Sequence, residues 1–335
     1  MVTMYAVMRE GLLVATGEVG DWRTSTRFSG QHVESVEVSE HDPDRVFVGT
    51  FGDGLHRSDD GGETFERVES DAFESDQFTA VAVSPHDPDE VWAGTEPSEV
   101  YRSADGGETW TRKPGLTDLP SAEDWWFPPR PDSHRVRSFE PSRTDPDRLY
   151  AGIELGAFVV TPDRGETWSE DIPGARVDAH QIVTHPQDGD RMYVAAGHGY
   201  AESRDGGRSW TQPDDQLPEA SHHLWSVAPD PGDPDTVLAS TSEDAFTAHF
   251  DEADSYVHRY RGDGEWERLD DAGIPTGEGV RAAVFAMGDA AGEVYAVNNY
   301  GVYRTTDAGD AWTALDVDWP AAFESQDPRG FAVVN

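Results

Sequence analysis

The sequence predicts an all-β chain, a seven-bladed β-propeller of four-stranded antiparallel blades. Three observations carry that expectation: a turn that recurs seven times, a second turn between the apolar strands of each unit, and chain ends that complete one blade between them. The first turn reads Ser58-Asp59-Asp60-Gly61-Gly62-Glu63-Thr64-Phe65. It returns at 103–110, 161–168, 203–210 and 305–312, each closed by a tryptophan. Weaker copies end at Trp266 (Asp263-Gly264-Glu265-Trp266) and Trp22 (Gly20-Asp21-Trp22). Seven aromatics therefore close seven units of about 40 to 60 residues, the period of propeller blades. The aspartate can accept N–H groups of its own loop, glycine takes the positive-φ position, and the hydroxyl residues tie the loop ends. The aromatic then opens the next strand and packs between blades.

The second turn is Asp42-Pro43-Asp44, set between the apolar run Val36-Glu37-Val38 and Val46-Phe47-Val48-Gly49-Thr50. Asp87-Pro88-Asp89, Asp145-Pro146-Asp147 and Asp233-Pro234-Asp235 repeat it. Proline keeps its predecessor extended and blocks helix, so each unit reads as a meander of strands. The chain begins with second, third and fourth strands (5–8, 12–15, 22–25) and ends with an orphan first strand at 331–334. Joining them closes the ring and hides two sheet edges. The whole of 1–335 is thus expected to form one propeller domain, with insertions at 113–133 and 241–258.

The repeated turn resembles the Asp-box of the BNR repeat family, found in sialidases, related glycoside hydrolases and non-enzymatic propellers. The resemblance spans nearly the whole chain but resides in scaffold turns, and a shared fold does not transfer an activity. It implies the propeller and leaves the function to be read from a site.

With 66 acidic and 25 basic side chains, the chain carries a formal charge of -41. Lys113 is its single lysine. This composition resembles that of proteins from salt-accumulating halophiles such as haloarchaea, where molar salt cuts the Debye length to about 3 Å. So much carboxylate repels nucleic acid and anionic membranes, and neither is an expected partner. Without cysteine there is no disulfide, thiolate metal site or cysteine nucleophile. No signal peptide or membrane span is read in the sequence, so a cytoplasmic location is expected.

If the first strands run through the ring from one face to the other, both turn families lie on a far face, where His41, His86 and His185 read as solvated loop residues. The near face then collects strand starts. Counting back from the proline turn aligns Glu34, Thr79, Arg135, His180 and His223, with His134 beside Arg135. Second-strand ends bring Glu96, Glu154, His198 and Glu243 to the same mouth. The first insertion adds Trp125-Trp126-Phe127-Pro128-Pro129-Arg130, whose tryptophans suit a sugar or aromatic ligand. The leading reading is a binding or assembly module that takes a small-molecule or protein ligand at this mouth, through Arg135, His134, His180, His198, His223, Glu34, Trp125 and Trp126. A glycoside hydrolase would use Glu154 and Glu96, which must stand about 5 to 9.5 Å apart with one held protonated. Sialidase activity is not expected, because the resemblance would require an Arg-Ile-Pro motif that the chain lacks and three arginines on one site, and Arg135, Arg137 and Arg281, which could approach the channel, are not placed on one. A third reading places a divalent transition metal on His180, His198 and His223.

Overall fold

In the computed structural model, all residues are described except 128, 129, 131, 171, 215, 216, 251, 263 and 264, and the side chain of Glu219. Pro128 and Pro129 of the aromatic insertion and Asp263 and Gly264 of one weak turn therefore lie outside the described residues. Seven antiparallel sheets stand around a central channel. Their inner strands, in blade order 1 to 7, are Pro328–Val334, Val33–Val38, Phe78–Val83, Val136–Pro141, Ala179–His185, His223–Asp230 and Val284–Met287. Each inner strand packs on the next, and the seventh returns to the first. Blade 1 is closed as the sequence predicts: Pro328–Val334 pairs with Val2–Met8, from Thr3 opposite Val334 to Met8 opposite Pro328. In blades 4 and 5 the fourth strand shrinks to single pairings, Val160 with Ser169 and Glu202 with Thr211. Blade 6 gains an extra pairing, Gly277–Glu278 against Asp254–Arg261.

The far face is a repeated latch. Asp60 accepts from the Thr64 amide at 2.8 Å, the Thr64 hydroxyl at 2.6 Å and the Ser58 hydroxyl at 2.7 Å. Asp105, Asp163 and Asp205 repeat this set with their own neighbours. The two turn families also bond to one another: Gly61 N–H donates to Asp44 C=O, Gly106 to Asp89, and Arg164 to Asp147. The second glycine of the turn is forced twice over. Gly62, Gly107 and Gly207 have φ of 83, 92 and 74°, and an added Cβ would strike Tyr5, Phe47 and Tyr150 of the preceding blade. Of the histidines expected to be solvated, His41 and His86 are exposed and His185 is buried, and all three also bridge blades. His41, His86 and His185 each place Nε2 about 3 Å from a carbonyl of the next blade, those of Pro85, Ser142 and Asp230. A turn seen in one blade alone gives no sign of a partner in its neighbour.

Candidate functional site

At the near end, six of the seven inner strands carry a β-bulge at the same place, and in each one extra residue is turned out of the ladder. These residues are Glu34, Thr79, Arg137, His180, Trp225 and Arg329. The expected register holds for Glu34, Thr79 and His180 and fails for Arg135 and His223, which stand two residues before the bulge. The signal was present in the sequence, since Asp42, Asp87, Asp145, Asp188 and Asp233 each follow the bulged residue by eight positions. Trp225 and Arg329 are the residues that sequence reasoning missed, and Arg137, read only as an arginine that could approach the channel, takes the position assigned to Arg135. Two tiers result, with His32, Arg135, Asp178, His223 and Asp327 above and the bulged residues below.

The upper tier is packed most tightly around Arg135. Arg135 is 1% exposed. Its Nε and Nη2 both meet Glu154, its Nη1 lies 3.3 Å from Glu34 Oε2, and the Phe127 ring covers it at 4.1 Å. Glu96 is clamped by Arg130 through Nε and Nη2. Arg130 lies in turn 4.8 Å from the Phe127 ring and 4.4 Å from Phe51. The first insertion is therefore a plug over the channel, anchored by Trp125, which is buried, donates to Ser121 Oγ at 2.8 Å and packs its edge on His134 at 5.7 Å. Trp126 alone of the pair is exposed.

The electrostatics follow from this packing. Burial works to raise the Glu34 carboxyl, but Arg329 and Arg135 outweigh it and hold it well below the usual range. Burial likewise works to raise Glu154, but Arg135 and Arg137 beside it prevail and hold it below the usual range. Asp178 is pushed up to about 6 by burial and the charge of Glu154, although Leu155 N–H donates to it. His180 donates its Nδ1–H to the Leu224 carbonyl at 2.7 Å and is held down to about 4 by burial. His223, with its ring centre 4.9 Å from that of His180, is held down to about 3 by burial and by His180. Both are neutral at pH 7.

The structure thus brings together Glu34, Arg135, Glu154, His180 and His223, and separately Glu96, Arg130, Trp125 and His134. His198 lies exposed in the turn that follows Asp188–Ala196. Among the described residues, no group of three or more histidine or carboxylate side chains is arranged to hold a metal ion. The two carboxylates named for hydrolysis, Glu154 and Glu96, are each buried against an arginine rather than facing open space.

The open part of the near face lies at the second insertion. Asp244 caps the short helix Ala245–His249 through the amides of Phe246 and Thr247, and Ala248 fixes the helix in the core. Phe246 and Phe250, four residues apart, point outward with ring centres 5.2 Å apart and exposures of 67% and 47%. They border a basin of ≈ 870 Å³ whose wall includes Arg9, Glu10, Arg281 and Gln326. No helix among the described residues is long and apolar enough to cross a membrane.

These features belong to a β-propeller, and known propellers share its architecture. An ancestral GH74 enzyme superposes with a TM-score of 0.61 at 14% identity, covering 99% of this chain and 40% of that one. YCF48 bound to D1 peptide gives 0.60 at 17% identity, with 86% and 82% covered. A chain of a nidogen/laminin complex gives 0.52 at 9%, with 100% and 99% covered. The chain thus spans less than half the length of the GH74 enzyme. No family model and no curated protein matches the sequence.

Proposed function

We propose that this propeller is a binding or assembly module, and that its near face docks a peptide segment of a partner protein in the basin beside Phe246 and Phe250. The observation that carries this reading is the pair of outward phenylalanines on a capped, core-anchored insertion helix beside an ≈ 870 Å³ basin. In a chain with a formal charge of -41, two exposed aromatics stand here beside Arg9 and Arg281, among the carboxylates of Glu10, Glu252 and Asp327. Aromatic and arginine side chains carry most of the binding energy in protein interfaces. Propellers that engage partners, such as the peptide complex of YCF48 and the nidogen/laminin assembly, share the fold. The repeated far-face turns are read as Asp-boxes of the BNR type, and the acidic surface as an adaptation to salt, so binding belongs in molar KCl. A glycosidase reading has weaker support, because Glu96 and Glu154 are both paired with arginine.

The test is to select peptides from a displayed library in molar KCl and measure their affinity for three proteins: wild type, Phe246→Asp/Phe250→Asp, and the far-face variant Asp105→Ala. The expected result is a loss of about tenfold or more in the near-face variant, the scale of an interface anchor, and none in the far-face variant. Equal affinity for all three would refute the docking face.

A further inference from the structure

Below the plug, the channel holds a cavity of ≈ 270 Å³, whose wall includes Arg137, Trp225 and Arg329 at the near end and Glu37 and Glu140 toward the far end. Arg137 is 8% exposed, and its closest carboxylate, Glu154, is 4.0 Å away. Its Nε is shut off from water and has no hydrogen-bond partner, while its guanidinium lies 4.5 Å from the Trp225 ring. Arg329 enters from another blade, 6.0 Å from the same ring, and its Nε is likewise without a partner. The neighbouring carboxylates are already engaged: Glu34 with Arg135 and, at 4.0 Å, with Arg329, Glu154 with Arg135, and Asp327 with Arg329 at 2.8 Å. A guanidinium offers five donors and no acceptor, and buried charges normally carry a counter-charge with hydrogen bonds. Here two arginines face one polar cavity with donors to spare.

We propose that the near end of the channel is an anion site, in which Arg137 and Arg329 hold a small monovalent anion, a carboxylate or a halide, beside Trp225. This site is separate from the docking basin and does not depend on it. A short carboxylate matches the planar fork of a guanidinium, and a halide accepts from several N–H groups at once. The cavity is several times the ~30 Å³ that one water occupies in the liquid, so either ion fits with hydrating water. Burial and the neighbouring Arg135 lower Arg137 to about 10, and an anion opposite it relieves that repulsion. Near neutral pH the two far-end carboxyls are only partly ionised. Burial together with Glu140 pushes Glu37 up to about 8, and burial raises Glu140 to about 7.

Crystals of the full chain soaked in sodium bromide test the site directly. Anomalous density within hydrogen-bonding reach of Arg137 and Arg329 is expected in wild type and is lost in Arg137→Gln. In solution, sodium formate added at constant ionic strength raises the melting temperature of wild type but not of the variant. Bromide density without a formate effect assigns a halide site, and a formate effect without bromide density assigns a carboxylate site. The proposal is overturned if wild type shows neither, or if the bromide peak is undiminished in Arg137→Gln. Should that variant fail to fold, the wild-type soak together with Arg329→Gln decides.

Discussion

On the far face, blade after blade places the same atoms in the same positions. An aspartate gathers the hydroxyls and amides of its turn, a left-handed glycine lies against an aromatic of the preceding blade, and a backbone bond ties the two turn families together. On the near face, the one repeated device is the bulge, and the residue it presents changes from glutamate to threonine, arginine, histidine, tryptophan and again arginine. Two insertions then plug and border what the bulges present. Repetition supplies stability additively through neighbouring blades, whereas the near-face residues meet only once, so each depends on partners from several blades.

The sharpest way to break this contrast is at the closure. Deleting 328–335 removes the inner strand of blade 1, its pairing with Val2–Met8 and the packing of blades 7 and 2 against it. A urea melt of the truncated chain should show no cooperative transition, since two sheet edges and the channel wall are exposed together. A transition unchanged from wild type would mean that the ring does not depend on this strand.

Next in size is the near-face network. Arg135→Ala leaves Glu34 and Glu154 buried without their shared partner, which costs about 3–5 kcal/mol. Urea unfolding measures it, and a cost below ~1 kcal/mol would show that the network is freely hydrated.

Acid and base should separate the two ends of the channel. His180 and His223 have values depressed from 6.5 to about 4 and 3. Their contribution is fully present above the ordinary histidine range and is lost as pH falls through 6.5 toward 4, because the unfolded chain binds protons that the folded one refuses. Glu37 and Glu140 have values raised to about 8 and 7. Their contribution is complete below 4.5 and is lost as pH rises toward 8. Melting temperature against pH should therefore flatten on its acid limb in His180→Gln/His223→Gln and on its alkaline limb in Glu37→Gln/Glu140→Gln. Identical pH profiles for both variants and wild type would contradict this division.

The smallest effect belongs to the repeated face. Asp205→Ala removes the acceptor for Ser203, Arg208 and Ser209 in one turn of a ring of similar turns. It should cost about 1–2 kcal/mol, as the loss of a capping carboxylate does, with no change in near-face binding.

The same contrast explains what could be read in advance. Turn chemistry is local, so Asp60, Gly62 and Trp110 announced the blades, and the orphan strand at the C-terminus announced the closure. Bulges and ion pairs depend on register between segments far apart in sequence. Arg135 was therefore assigned to the tier occupied by Arg137, and His223 to that of Trp225, although the eight-residue spacing to the following aspartate was available. His198 was grouped with His180 and His223 from its place at a strand end, but a turn carries it to the surface. The clamp of Arg130 on Glu96 joins an insertion to a strand end 34 residues away, and nothing local marks it.

The central claim is that the near-face basin docks a partner peptide, and its most direct test is a hydrogen-exchange footprint. The full chain is labelled in molar KCl with and without the tightest peptide selected on it. Protection concentrated at 244–250, 279–281 and 321–327 is the predicted result. Protection concentrated on the far-face turns at 58–65 and 103–110, with the basin unchanged, would contradict the account.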